Sequence, residues 1–242
     1  MKFLLLLISF TYILFAVEVN HTNVNITDFQ LKYLEDTNNQ YNIGTILNQK
    51  FTKTTVNKRS FGLSKGKVLW VKTDIYVTSD IKKLYIQHID TVSVTNIELY
   101  FLKDKKLLKK VQSGIQNKET NSYDALLKVD VKKGETYTFL AKYSTKNSII
   151  VHINIFNEQN YYNSKKNMHI MFAIFIGAIF ALLIYNSYLY FALRHIQYVY
   201  FFGMVFSLSI FTMTQAGIFI EFFPYTVSLP LNHTSSNGII HL

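Results

Sequence analysis

The sequence contains no cysteine and only two prolines among its 242 residues. The lack of cysteine excludes a disulfide scaffold, a thiolate zinc site and a cysteine nucleophile. Charged residues make up 17% of the chain, whereas soluble domains have about 25%. With 49% hydrophobic and 16% aromatic residues, the chain is too apolar for a disordered or fibrous protein. This composition does not favour an ordinary soluble enzyme.

Charge and hydrophobicity occupy different parts of the chain. Of the 25 basic residues, all but Lys2 and Arg194 lie in residues 17–167, together with 14 of the 15 acidic residues. Residues 168–223 carry only Arg194 and Glu221 as formal charges. The net charge of +10 therefore belongs almost entirely to a polar middle part placed between two apolar ends.

The N-terminus has the pattern of a secretory signal peptide. Lys2 precedes an uninterrupted, mostly apolar run over residues 3–15, and the small residue Ala16 follows. At about 1.5 Å per residue the run spans about 20 Å, less than the hydrocarbon core of about 30 Å. We expect a signal peptide over residues 1–16. Because Leu14 is a poor residue for the cleavage site, an uncleaved signal anchor is the alternative.

Two later segments, residues 168–193 and 198–223, are long and apolar enough to cross a bilayer, and aromatic residues crowd their ends. The alternative is a pair of core helices in a soluble protein. An exported middle part places the short turn that contains Arg194 in the cytoplasm, in agreement with the positive-inside rule. Lys165 and Lys166 disagree with that rule, because they would flank the first span on the outer side.

Within these spans, Asn186 and Gln215 are polar at membrane depth. Lipid offers such groups no hydrogen-bond partner, so they are expected to face other helices or a cavity. Contacts between helices are favoured over a role in transport. We therefore name Asn186, Gln215 and Arg194 as polar contact residues of the membrane helices.

Residues 17–167 are predicted to form an all-β domain. They contain no proline, and apolar residues alternate with polar ones in short runs, as in half-buried strands. In one such run Leu69, Val71, Ile75 and Val77 share a face, and Trp70 lies on the other. A short helix is expected within 41–49. Strands are expected at 29–34, 69–77, 83–88, 97–101, 107–112, 127–131, 137–143 and 149–155, which indicates an antiparallel sandwich.

The sequence shows no catalytic constellation and no metal-ligand pattern, and it predicts no cofactor. The seven histidines are scattered. Trp70, Tyr76 and His152 are the candidates for ligand binding. For Trp70 a core position is favoured over a platform for stacking a sugar, and for His152 an ordinary surface position is favoured over a ligand contact. An exported domain does not meet nucleic acid, so its basic charge does not indicate that partner.

Several runs resemble a known family. Four of these runs lie in the predicted β domain: Phe61-Gly62-Leu63-Ser64, Val68-Leu69-Trp70-Val71-Lys72, Lys83-Leu84-Tyr85-Ile86 and Ile97-Glu98-Leu99-Tyr100. They resemble the second type of extracellular sensor domain of bacterial seven-transmembrane receptors with diverse intracellular signalling modules. The runs 183–190, 193–200, 216–217 and 223–224 are similar to the first two helices of that family.

The resemblance implies a jelly-roll-like ectodomain in the periplasm, followed by seven helices in the inner membrane and a cytoplasmic output domain. It also implies a small periplasmic ligand, with carbohydrate as one candidate; the bilayer is a further partner, and a homodimer is a candidate assembly. Only two spans and a third start near residue 238 are present, so we expect a receptor fragment over 1–242, with its membrane part at 168–242. The alternatives are a membrane-anchored binding or adhesion protein without an output domain and a membrane-bound carbohydrate-active enzyme.

Overall fold

The computed structural model describes residues 16–19, 25–26, 29–89, 94–114 and 125–215, without the side chains of residues 25, 214 and 215. Most of the predicted signal peptide and the expected third helix lie outside these residues. The chain divides into two units, Met1–Asn160 and Tyr161–Leu242, and we describe each by itself.

The first unit contains twelve strands and one short helix among the described residues. In chain order these are β1 (Ala16–Val19), β2 (Asn25–Ile26), β3 (Gln30–Asp36), α1 (Ile43–Ile46), β4 (Lys53–Val56), β5 (Lys58–Leu63), β6 (Val68–Val77), β7 (Lys83–His88), β8 (Asn96–Lys103), β9 (Lys106–Ser113), β10 (Ala125–Asp130), β11 (Thr136–Ser144) and β12 (Ser148–Phe156).

The strands form two sheets. Sheet A has the order β4-β3-β6-β11-β8-β9, and β1 joins β6 as a parallel strand. Sheet B has the order β10-β7-β12-β2, and β5 also pairs with β12. Apart from β1, all pairs are antiparallel. The predicted jelly-roll-like sandwich is thereby confirmed.

The main core consists of the alternate residues that both sheets contribute. On β6 these are Leu69, Val71, Ile75 and Val77, the face that the sequence predicts. On β12 they include Val151 and Ile153, both fully buried. An extended strand turns successive side chains to opposite faces, so each strand supplies every second residue to this layer.

A second, smaller cluster covers part of the outer face of sheet A. Trp70 and Leu140 pack there against Ile46 of α1, and all three side chains are fully buried. The Asn42 side chain accepts hydrogen bonds from the backbone N–H groups of Gly44 and Thr45, and the Thr45 hydroxyl accepts one from the Asn42 N–H. This capping box starts α1, which is shorter than the expected 41–49.

Four short strands, β1, β2, β4 and β5, were not expected from the sequence. β4 and β5 alternate poorly, since Lys53, Thr54, Lys58 and Arg59 are exposed. Pairing with β3 and β12 holds these strands in place. Their existence depends on neighbours that are distant along the chain, which a local pattern does not reveal.

Two helices follow the sandwich: α2 (Glu158–Leu193) and α3 (Gln197–Gln215). α2 begins well before the predicted start at residue 168, because the Asn157 side chain accepts a hydrogen bond from the Asn160 N–H at 2.7 Å and caps its first turn. Among the described residues, α2 is the one helix that is long and apolar enough to cross a membrane. α3 is apolar over residues 197–213, and the second predicted span, 198–223, extends beyond the described residues, which end at 215.

Candidate functional site

The three candidate ligand residues do not lie together. Trp70 and Tyr76 are on the outer face of sheet A, whereas His152 alternates with the core residues of β12 and faces outward from sheet B. Trp70 is fully buried, and its ring stacks on Tyr100 with a centroid distance of 6.2 Å. Its side chain therefore has no accessible surface for a ligand in this structure.

The accessible polar part of the sheet A outer face follows β6. Lys72, Asp74 and Tyr76 point the same way from this strand and are half-buried. Lys32 on β3 lies directly opposite Lys72, and Thr138 on β11 lies directly opposite Asp74. We call Lys32, Lys72, Asp74, Tyr76 and Thr138 the β6 polar face.

A small cavity opens beside this face, where β6 changes its partner along one edge. β3 pairs with β6 as far as Lys72, and β1 takes over from Asp74 onward. Thr73 lies between the two partners and pairs only with β11. The cavity has a volume of about 20 Å³, enough for about one water-sized group. It is lined by Gln30, Leu31, Lys32, Thr54, Lys72, Thr73 and Asp74.

The polar groups of this region include both donors and acceptors. The Asp74 carboxylate accepts a hydrogen bond from the Thr138 hydroxyl at 2.8 Å and has further acceptor capacity. The Thr73 hydroxyl is buried and has no hydrogen-bond partner among the described residues. Lys32 and Lys72 place two ammonium groups on neighbouring strands, and each ammonium group is a hydrogen-bond donor. The donors and acceptors around the cavity suit hydroxyl or carboxylate groups, and the cavity itself holds about one water-sized group.

A second polar group lies on β8, β9 and β11 and is internally satisfied. Glu98 accepts hydrogen bonds from the Tyr100 hydroxyl at 2.6 Å and from Lys110 at 3.0 Å, and Lys142 lies opposite it. Burial acts to raise the pKa of Glu98, but these two hydrogen bonds outweigh it and the pKa lies below its usual value. Burial, and then the bond to Glu98, raise the pKa of Tyr100. We interpret this group as structural.

Replacing Glu98 by glutamine is expected to lower the free energy of unfolding by about 1 kcal/mol at neutral pH, because the charged hydrogen bonds are lost. The pKa of Glu98 in the folded protein lies below that of an ordinary glutamate. This stabilisation is therefore present above the ordinary glutamate pKa and disappears as the pH falls through the folded pKa. Urea unfolding of the wild type and the variant, followed by the fluorescence of Trp70, measures the difference. A difference that stays constant from neutral pH to about pH 3 would contradict the assignment.

One side-chain hydrogen bond ties the sandwich to the first turn of α2. The Tyr85 hydroxyl on β7 donates to the Glu158 carboxylate at 2.8 Å. Tyr85 is buried, and Lys128 lies 5.5 Å from its ring. β6, which carries the polar face, is followed in the chain by β7, which carries Tyr85. Residues 78–82 therefore connect the strand of the polar face covalently to the strand whose Tyr85 forms the hydrogen bond with Glu158.

The described residues contain no group of three or more His, Asp or Glu side chains that could hold a metal ion. The contacts described above are hydrogen bonds, ion pairs and ring stacking.

Comparison with protein families covers both units. The model for the domain described as 7TMR-DISM extracellular 2 matches residues 29–157, more than half of the chain. The model for the domain described as 7TM diverse intracellular signalling matches residues 168–240. The chain belongs to the family of seven-transmembrane receptors with diverse intracellular signalling modules. The predicted resemblance is confirmed, and the two matched domains are a non-catalytic sensor and a membrane domain.

No curated protein matches this receptor chain. Among solved structures, a β-glucosidase from Kluyveromyces marxianus in complex with glucose is 10% identical, with a TM-score of 0.35 over 53% of the receptor chain and 17% of the glucosidase. A family 35 carbohydrate binding module from Clostridium thermocellum is 9% identical, with a TM-score of 0.28 over 54% and 92%. The A domain of epithelial adhesin 9 from Candida glabrata, in complex with Galb1-3GlcNAc, is 5% identical, with a TM-score of 0.31 over 60% and 88%. These likenesses concern the fold of the sandwich alone.

In the membrane part of the receptor, the predicted polar residues have different surroundings. Asn186 is buried, and its amide donates to the Leu182 carbonyl oxygen of the same helix at 2.7 Å. Arg194 is exposed and has a positive φ of 52° directly after the end of α2. Such a left-handed residue is a common helix ending. Gln215 is the last residue of α3, and its side chain lies outside the described part.

Sequence reasoning overlooked most of the β6 polar face of the receptor. The period of two placed Lys72, Asp74 and Tyr76 on one side of the strand, but only Tyr76 was named as a candidate. The signal that could have found the others was this shared face. The positions of Lys32 and Thr138 opposite it required the strand pairing.

Proposed function

We propose that this chain is the sensing part and the first membrane part of a receptor that binds a small, hydroxyl-rich ligand on the β6 polar face. The observation that carries the proposal is the convergence of donors and acceptors on the β6 polar face. Lys72 and Asp74 line a cavity for about one water-sized group, and the half-buried Tyr76 lies on the same side of the strand. Carbohydrates and sugar acids fit this chemistry, since they present many hydroxyl groups and an apolar face to an aromatic ring.

The sandwich lies in the periplasm and the helices in the inner membrane in this proposal. A signal peptide over residues 1–16 directs export, residues 17–167 form the sensor, and residues 168–242 begin a seven-helix domain with a cytoplasmic output domain further along. Asn186, Arg194 and Gln215 contact other helices or the cytoplasmic turn. Support comes from the family match and from the apolar character of α2.

Signalling requires that the ligand bind two states of the receptor with different affinity. The cavity lies at the point where β6 exchanges β3 for β1, so a ligand that bridges β3 and β6 would favour one arrangement of that edge. β6 continues into β7, and Tyr85 of β7 holds the first turn of α2 through Glu158. In this proposal, the change that the ligand causes at the edge of β6 reaches α2 through this contact.

Ligand binding is tested by calorimetric titration of the detergent-solubilised chain with neutral monosaccharides, disaccharides and uronic acids. For a sugar that binds, Asp74→Ala is expected to raise the Kd at least about tenfold, because a hydrogen bond from the ligand to a charged carboxylate is lost. His152→Ala, on the outer face of the other sheet, is the matched control and should leave the Kd unchanged. A sugar whose affinity is insensitive to both Asp74→Ala and Lys72→Met would refute the site.

The topology is tested separately with fusions of alkaline phosphatase and of green fluorescent protein after Asn157. The proposal expects phosphatase activity and no fluorescence, since the first enzyme is active only after export. Fluorescence of the second fusion would place the sandwich in the cytoplasm and overturn the sensing role. The sequence downstream of Leu242 then shows whether further spans and an output domain follow or whether the chain is a membrane-anchored binding protein.

A further inference from the structure

Three connections meet at the end of the sandwich where β12 leads into α2. They are residues 78–82 between β6 and β7, residues 104–105 between β8 and β9, and residues 131–135 between β10 and β11. Backbone hydrogen bonds join the first and third of them, from the Gly134 N–H to the Val77 carbonyl at 2.8 Å and from the Val131 N–H to the Lys82 carbonyl at 3.0 Å. An ion pair of 2.7 Å between Lys103 and Glu135 links the connection between β8 and β9 to the connection between β10 and β11.

This end of the sandwich is rich in lysine. We call it the basic end, and its lysines are Lys82, Lys83, Lys103, Lys105, Lys106, Lys132 and Lys133. All of them except the partly buried Lys103 are exposed. Five acidic residues accompany them, namely Asp80, Asp104, Asp130, Glu135 and Glu158. The surplus of positive charge is held on connections that are fixed by hydrogen bonds, so it forms a stable surface.

The chain passes directly from the basic end to the membrane part. β12 ends at Phe156, α2 begins at Glu158, and the apolar run starts at Met168. At about 1.5 Å per helical residue this stretch is about 15 Å long, and it contains Lys165 and Lys166. The basic end is thus tethered close to the point where the chain reaches the bilayer.

We propose that the basic end docks on the anionic phospholipid headgroups of the membrane in which α2 is inserted. Clusters of lysine next to a membrane helix are attracted to anionic lipid over about a Debye length, and the short tether keeps the basic end near that range. The contact also accounts for Lys165 and Lys166, which the positive-inside rule does not explain on the outer side. It fixes the sandwich against the bilayer whether or not the β6 polar face is occupied.

The test uses the 242-residue chain in nanodiscs of phosphatidylcholine alone or with about 30% phosphatidylglycerol, an anionic lipid. Each lysine is labelled with a membrane-impermeant acetylating reagent, and its rate is read by mass spectrometry. We expect Lys82, Lys105, Lys132 and Lys133 to react about fivefold more slowly in the anionic discs, and the difference to vanish in about 0.5 M salt. Lys65 and Lys146, in turns at the opposite end of the sandwich, should react equally in both.

Charge reversal provides the second arm. The triple variant K105E/K132E/K133E should lose the protection of Lys82, whereas the matched variant K58E/K65E/K146E, which changes the same number of exposed lysines elsewhere, should keep it. All six positions are exposed, and an unchanged urea midpoint confirms that each variant folds. Equal labelling of the basic end in both lipids, or protection that survives the first triple variant, would overturn the proposal. Neither result bears on sugar binding.

Discussion

Replacing Trp70 by alanine is expected to lower the free energy of unfolding of the sandwich by about 3–5 kcal/mol. The side chain is fully buried in the cluster under α1, between Tyr100, Leu140 and Ile46. Lys142 also lies 5.4 Å from its ring. Truncation leaves a cavity under a four-residue helix that cannot collapse to fill it without losing its own packing.

Pulse proteolysis in urea measures this loss of stability. Tryptophan fluorescence cannot be used here, because the variant lacks the only tryptophan of the chain. Trp70→Phe is the control: it keeps most of the apolar volume and removes an indole N–H that is buried without a partner among the described residues. We expect its cost to stay below about 2 kcal/mol. If Trp70→Ala unfolded within about 1 kcal/mol of the wild type, the cluster under α1 would not contribute as the packing indicates.

Asn57→Ala is expected to cost about 2–4 kcal/mol, because it leaves two buried backbone groups without partners. Asn57 connects β4 to β5 and is buried. Its side-chain oxygen accepts from the Phe29 N–H at 3.3 Å, and its amide donates to the Ile153 carbonyl at 2.8 Å. Phe29 precedes a strand of sheet A and Ile153 belongs to sheet B, so one side chain joins the two sheets.

Trp70 is the only tryptophan and is buried in the sandwich, so its fluorescence during urea unfolding reports on this variant directly. Asn48→Ala is the matched control, since Asn48 is exposed and its side chain accepts a long hydrogen bond of 3.4 Å from the exposed Lys105. We expect its effect to stay within about 0.5 kcal/mol. Equal midpoints for Asn57→Ala and the wild type would show that water replaces both lost contacts.

The importance of Trp70 can be predicted from the sequence, whereas that of Asn57 cannot. Trp70 is a large aromatic residue in a predicted strand, and the sequence favours a core position for it on that ground, although alternation places it on the face opposite Leu69 and Val71. Asn57 looks like an ordinary polar residue in a poorly patterned stretch. Its importance comes from contacts with residues that are 28 and 96 positions away.

The candidate site shows the same division. Alternation along β6 places Lys72, Asp74 and Tyr76 on one face, and this much follows from the period of two. The cavity beside them forms because β3 and β1 share one edge of β6 and leave Thr73 between them. No local pattern contains that exchange, and β1 begins at Ala16, the last residue of the predicted signal peptide, where no strand is expected from the sequence.

By itself, the sequence determined the all-β character of the first part and the apolar spans after it, because alternation, length and composition can be read from each segment alone. The family followed from the resemblance of particular runs of residues. Only the tertiary structure decided which strands pair, that Trp70 is covered by α1, and that Tyr85 reaches Glu158. These features depend on which distant segments meet. An alternating strand specifies its faces, but it does not specify the neighbour on either edge.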